Sequence, residues 1–354
     1  MARNNFNSVR LPLSVYHILE NSTPDISFIN TNTNKAIEAE EYRTLLKTIV
    51  QALAYRGISV LLDMHTLTPT DTGELWYNEE ISENDLLDAI DILGEDLCSA
   101  TYWNIVGLDL KNEPAAAKWG TRNPKKDWHM AAEKLGNRML AACPKWTAQV
   151  EGISSSHSIN LFGSNFFYYD WWGGGLQGAK EDPIVLNTVQ KVVYSPHYYS
   201  PAVHPAPYFY RSGRNQGGRL KDYVERPDDE LRVVVNRTMH DMFGFLTSTQ
   251  DFAVVMGEFG GLFGTDTHPL KTTSRVIEYT IDFLVNPSNK YGGGYVWSLN
   301  PESAYEYNPV DTRGFFQYGL LDDDWLSVHA EYLDVLKKFD DMEDMKMFPC
   351  VQSS

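Results

Sequence analysis

Two glutamates stand where an apolar run gives out. Leu108-Asp109-Leu110-Lys111-Asn112-Glu113-Pro114 is a strand-like run stopped by proline, and Val254-Val255-Met256-Gly257-Glu258-Phe259-Gly260 repeats the layout with glycines beside the carboxylate. Either glutamate alone would more often be a strand-end cap or an ion-pair partner. As a pair they suit glycoside hydrolysis, whose oxocarbenium-like transition state is served by two facing carboxyl groups, one protonated and one ionised. Other strand-like runs also end in polar or aromatic groups: Arg10, His65, Asn112, His197-Tyr198-Tyr199 and Trp297. No H-x-H or H-E-x-x-H spacing is present, so His65 and His197 do not read as zinc ligands, and no metal is expected.

The elements that must carry these residues alternate along the chain. Strand-like runs occupy Asn7 to Leu13, Ile58 to His65, Ile105 to Asn112, Trp146 to Gly152, Lys191 to Tyr199, Phe252 to Phe259 and Gly294 to Asn300. Between them, apolar residues recur at helical spacing: Leu45, Ile49, Leu53; then Leu86, Ile90, Leu93, Leu97; then Leu231, Val235, Met239, Met242, Leu246; and finally Val328, Tyr332, Val335, Phe339. Ser82-x-x-Asp85 is an N-cap signal for the second of these helices. Continuously apolar strands such as Val60-Leu61-Leu62 fit a parallel sheet covered on both faces. Chemically able residues at the ends of many strands favour an α/β fold of the (β/α)8 TIM-barrel type over a doubly wound sheet. The expectation is one domain over residues 1–354. Residues 154–188 and 200–229 are expected to be long loops without structure of their own.

The count falls one short of the eight strands a barrel needs. Only six residues precede the first run, so the reading is a barrel lacking its first strand and most of its first helix, with poor expression or inactivity as the consequence.

Composition narrows the function classes. Hydrophobic residues at 43% and charged ones at 22% describe a globular chain, and no apolar run approaches the ~20 residues of a membrane span. A net charge of −17 without an extended Lys/Arg cluster speaks against nucleic acid as a partner. Nine Trp and 20 Tyr suit a protein that stacks rings against neutral sugars, or simply a large aromatic core. Cys98, Cys143 and Cys350 show no C-x-x-C spacing. Cys98 and Cys143 each follow a helix, and those helices follow consecutive strands, so a disulfide between them is expected, leaving Cys350 over. Asn21-Ser22-Thr23 and Asn236-Arg237-Thr238 are glycosylation sequons, and no signal peptide opens the chain.

Asn112-Glu113-Pro114 after an apolar strand, His197-x-Tyr199, Gly257-Glu258-Phe259-Gly260 and Trp297-Ser298-x-Asn300-Pro301 together resemble glycoside hydrolase family 5. Trp171-Trp172-Gly173-Gly174-Gly175-Leu176-Gln177-Gly178 and Leu320-Leu321-Asp322-Asp323-Asp324-Trp325 are similar to its β-1,4-endoglucanase branch, and the similarity covers nearly the whole chain. The resemblance implies a retaining, double-displacement endo-β-1,4-glucanase, with Glu113 as general acid/base and Glu258 as nucleophile. A carboxyl separation of about 5 to 5.5 Å is expected for that chemistry. It further implies that Asn112 holds the sugar 2-hydroxyl, that Arg10 hydrogen-bonds the nucleophile and keeps it ionised, and that Tyr199 donates to it. His65 and His197 would line the subsite, Trp297 would stack under the sugar ring, and Trp171, Trp172 and Trp76 would be outer platforms. A β-glucan substrate, no cofactor, a monomeric state and secretion of the full-length form complete the expectation. Its rivals are an endo-β-mannanase or other β-glycanase on the same fold, an inactive carbohydrate-binding relative, and a metal-dependent barrel hydrolase.

Overall fold

The computed structural model describes residues 1–30, 32–216, 219–301, 304–306 and 315–342. Cys350 lies outside them. Among the described residues the chain packs as two compact units, one formed by Met1–Ile153 with Glu181–Val193, the other by Ser154–Lys180 with the segment from Tyr194 onward. Twelve strands build the two units' main sheets and hairpins. They are β1 (Ser8–Ser14), β2 (Ser59–Thr66), β3 (Ile105–Asp109), β4 (Thr147–Val150), β5 (Ser156–Leu161), β6 (Ser164–Tyr169), β7 (Val192–Tyr194), β8 (His197–Tyr199), β9 (Tyr210–Gln216), β10 (Arg219–Glu225), β11 (Met256–Gly260) and β12 (Gly294–Trp297).

The first unit is a sheet in the order β1-β2-β3-β4-β7, and each of the successive pairs β1–β2, β2–β3 and β3–β4 is parallel. Strand β2 is buried over its first six residues, Ser59 to Met64, as its apolar run requires when both faces are covered. Helices α1 (Val15–Glu20), α2 (Tyr42–Tyr55), α3 (Glu83–Leu97) and α4 (Trp128–Ala142) belong to this unit. The start of α3 is the expected capping box: Ser82 Oγ accepts from the Asp85 amide at 3.2 Å, and the Ser82 amide donates to the Asp85 carboxylate at 2.8 Å. In α2 the buried line is Leu46 and Val50, one position away from the expected stripe of Leu45, Ile49 and Leu53, which is only half-buried.

Helices α3 and α4 approach closely because Gly94 has no Cβ; one built there would lie 2.5 Å from the Ala142 Cβ. Cys98 caps the C-terminus of α3 and Cys143 that of α4, with Cα atoms 5.5 Å apart, and they form the expected disulfide.

In the second unit β8, β11 and β12 form a parallel sheet with β11 in the middle. The run read as one strand from Lys191 to Tyr199 is two, β7 and β8, divided at Ser195-Pro196, where proline supplies no N–H to a ladder. Helix α5 (Asp228–Met239) continues through a π-helical turn at His240–Gly244 into α6 (Phe245–Ser248), accounting for the long apolar stripe from Leu231 to Leu246. Helices α7 (Thr272–Val285) and α8 (Ala330–Leu336) complete the unit's α-helices among the described residues.

The two expected structureless segments are not structureless. β5 and β6 pair antiparallel, as do β9 and β10. In the first hairpin Ile159 and Leu161 are buried between exposed Ser158 and Asn160, and the two turn residues Phe162 and Gly163 both have positive φ, 53° and 80°. That is the pattern of the tight turn that suits strand twist. Its sequence signal was weak because Phe-Gly replaces the usual Asn-Gly.

The disulfide gives a direct test of this arrangement. It closes a loop with a sequence separation of 45, so Cys98→Ala/Cys143→Ala should lower unfolding free energy by about 2 to 4 kcal/mol in denaturant titrations. A double variant as stable as the parent would show that the bond adds nothing.

Candidate active site

In the first unit the polar ends of four strands gather around one guanidinium. Arg10, on β1, donates from Nε to Asp109 Oδ2 at 3.0 Å and from Nη2 to Asn112 Oδ1 at 3.0 Å and Glu151 Oε1 at 2.9 Å. Its Nη1 lies 3.0 Å from Asp63 Oδ2. Asp63 is on β2, Asp109 ends β3 and Glu151 follows β4, so the hub ties all four strands together. All three carboxylates are fully buried. Burial works against charge on Asp63, but Arg10, His65 and Lys111 outweigh it and hold this carboxyl below its ordinary range. His65 contacts the same carboxylate through Nδ1 at 2.7 Å, which fixes the orientation of its ring.

Lys111 is also fully buried, and its Nζ donates to the Asn112 carbonyl oxygen. Burial drags its pKa down to about 8, against the opposing pull of Glu151, Asp63, Glu113 and Asp109. Glu113 itself is half-buried, with φ of 47°, and its amide donates to Glu151 Oε2 at 2.7 Å. Asn112 is anchored to β2 through its amide, which donates to the Met64 carbonyl at 3.1 Å.

In the second unit Glu258 sits in the middle of β11, buried, opposite His197 of β8. Tyr199 Oη donates to Glu258 Oε2, and His197 Nδ1 stands 3.6 Å from the same oxygen. The strands can come this close because position 257 is glycine: a Cβ there would lie 2.5 Å from Ser195 Oγ and 3.0 Å from the His197 ring. Trp297, at the end of β12 and paired with Gly260, is half-buried against the cluster of Ala202, Leu262 and Tyr318.

Two of the expected sugar platforms are corrected. Trp76 is fully buried; its indole N–H donates to Glu83 at 2.7 Å and its ring packs 5.9 Å from that of Trp128, so no face is open to a ligand. One satisfied donor is all that a Trp needs to enter a core. Trp171 is only 9% exposed and packs edge-on against Tyr198 and Tyr199, which makes it a support for the Tyr199 ring. Trp172 is 47% exposed, and Phe167 and Tyr169 on β6 stand exposed just before it in the chain.

Asp63, Asp109, Lys111 and Glu151 were missed as site residues. Each is a charge set inside or directly after an apolar strand run, and such a residue must find a partner if the strand is buried on both faces. Asp63 with His65 and Glu258 with His197 are carboxylate–imidazole pairs of the chemical type that can ligate a cation.

The chain is similar to known proteins over most of its length. A family model described as Cellulase (glycosyl hydrolase family 5) matches residues 1–303. An endoglucanase of Paenibacillus polymyxa is 30% identical over 94% of this chain and 72% of its own length. The major extracellular endoglucanase of Xanthomonas campestris pv. campestris is 30% identical over 94% of this chain, which spans 60% of that protein. The crystal structure of the latter's catalytic domain superposes with a TM-score of 0.74 over 95% of this chain and 84% of that one. A cellotetraose complex of the endocellulase from Pyrococcus horikoshii does so with a TM-score of 0.74 at 29% identity, covering 96% of this chain and 84% of that one. By the reach of the family model, the chain belongs to glycosyl hydrolase family 5, the cellulase family.

Proposed function

We propose that this protein is a retaining endo-β-1,4-glucanase that uses Glu113 as general acid/base and Glu258 as nucleophile. The reading takes both units as parts of one catalytic domain of (β/α)8 type, which the reach of the family model through residues from both units supports. The observation that carries it is the setting of Glu258. A carboxylate on the central strand of a parallel sheet, oriented by a tyrosine hydroxyl and flanked by an imidazole, is fixed in direction as a nucleophile must be. A glucan substrate is supported by the cellotetraose bound to the endocellulase of similar fold.

In this reaction Glu258 attacks C1 of the sugar at the cleavage point while Glu113 gives its proton to the glycosidic oxygen, and the shortened glucan leaves. Water then attacks C1 of the glycosyl-enzyme, Glu113 takes its proton, and the bond to Glu258 breaks with net retention. Asn112 would hold the 2-hydroxyl, while Arg10 and Tyr199 would stabilise the charge on the nucleophile. His65 and His197 would line the subsite, Trp297 would stack under the ring, and Trp172 would serve farther out. Secretion fits the disulfide, which persists in oxidising compartments, and the relative named as extracellular. Among the described residues no helix is long and apolar enough to cross a membrane.

Glu258→Gln should abolish turnover of carboxymethylcellulose. Glu113→Ala should lose about 10²- to 10⁴-fold on oligosaccharides, whose poor leaving groups need the acid, and far less on dinitrophenyl cellobioside. Azide should restore the second variant as a glycosyl azide product; an equal loss on both substrates would remove Glu113 from the acid role. Proton NMR of the first-formed product should show the β-anomer, and an α-anomer would overturn the double displacement. Activity should survive dialysis against EDTA, whereas loss reversed by zinc would favour a metal-dependent hydrolase. A panel including mannan and mixed-linkage glucan should rank cellulose derivatives first.

A further inference from the structure

The Asn112–Glu113 peptide is held at both of its polar atoms by charged groups. Its carbonyl oxygen accepts from the buried ammonium of Lys111, and its N–H donates to the buried carboxylate of Glu151 at 2.7 Å. The following residue in this link is Glu113, whose φ of 47° lies in the left-handed region that a side chain with a Cβ rarely adopts. Pro114 comes next, and a residue before proline is itself restricted. Such a backbone persists only where its surroundings over-determine it, and a charge at each end of the peptide is a means of doing so.

We infer that Lys111 and Glu151 are positioning residues that clamp the Asn112–Glu113 peptide and thereby fix the direction from which the Glu113 carboxyl reaches substrate. The inference rests on the assignment of Glu113 as acid/base. The clamp has its own anchor, because Arg10 Nη2 reaches both Asn112 Oδ1 at 3.0 Å and Glu151 Oε1 at 2.9 Å. The Glu151 backbone is fixed as well, its carbonyl accepting from the Trp128 indole at 2.8 Å. The groups around the Lys111 ammonium are Glu151, Asp63, Glu113 and Asp109, and with these four acids its pKa of about 8 leaves it mostly protonated at neutral pH. An ammonium donor makes a stronger hydrogen bond to a carbonyl than a neutral donor does.

The test uses Lys111→Met and Glu151→Gln in the full chain, the second nearly isosteric in case the first does not fold. Each is assayed on cellopentaose and on dinitrophenyl cellobioside, with circular dichroism and melting temperature recorded. The expected result is a fall in kcat on cellopentaose of about 10²-fold, the scale of a 1 Å misplacement, with KM changed by no more than about twofold. On dinitrophenyl cellobioside, whose first step needs no acid, kcat/KM of both variants should stay near the parent. An equal loss of kcat/KM on both substrates, or no loss on either in a folded variant, overturns the clamp. Glu113→Ala run alongside separates the two readings. If it shows the leaving-group split and the folded clamp variants do not, the positioning role is wrong while the acid/base stands. If it shows no split, the acid/base assignment falls and the inference falls with it.

Discussion

Everything in the first unit's polar interior depends on neutralising buried charge around Arg10. Asp63, Asp109 and Glu151 are all withdrawn from water, and each such ion costs several kcal/mol unless charge and hydrogen bonds compensate it. A guanidinium is suited to this place because its fork of donors stays charged and can serve several acceptors at fixed angles. Here it serves three acids and an amide drawn from β2, β3 and the segments after β3 and β4. The register of the strands and the polar network are thus one constraint: a slip of one residue in β1 would carry Arg10 to the opposite face of the sheet and strand three carboxylates.

The second unit meets a different requirement, close approach of backbone to backbone. Glu258 is reached by Tyr199 and flanked by His197 because β8 and β11 pair directly at those residues, and Gly257 removes the atom that would hold them apart. Trp171 braces the tyrosine from behind. The tyrosine hydroxyl satisfies one oxygen of a carboxylate that is otherwise buried, so the same hydrogen bond that orients Glu258 also offsets its desolvation.

Aromatic abundance turned out to serve two purposes that composition does not separate. Trp76, Trp128 and Trp146 are fully buried, whereas Trp172 presents nearly half of its surface and Trp297 is partly covered. A tryptophan surrounded by loop sequence carries no periodicity to tell its direction. For Trp76 the ring becomes core because it packs on Trp128 and its indole N–H finds Glu83.

What the sequence by itself determined is what local pattern and covalent order can carry. Apolar runs marked β1 to β4 and β8, β11 and β12 of the two parallel sheets, with the run from Lys191 to Tyr199 divided at its proline into β7 and β8. Ser82 and Asp85 marked the start of α3, and the placement of Cys98 and Cys143 after consecutive helices foretold their bond. Glu113 and Glu258 stood out because a carboxylate in or just after an apolar run conflicts with its surroundings. Only the tertiary structure decided the partners of that conflict. That Arg10 spans four strands, that Lys111 and Glu151 grip a single peptide, and that Glu113 takes a left-handed backbone depend on residues far apart in sequence meeting in a low-dielectric interior. There the strength of each charge is set by which others share its burial, a property that no local stretch of chain contains.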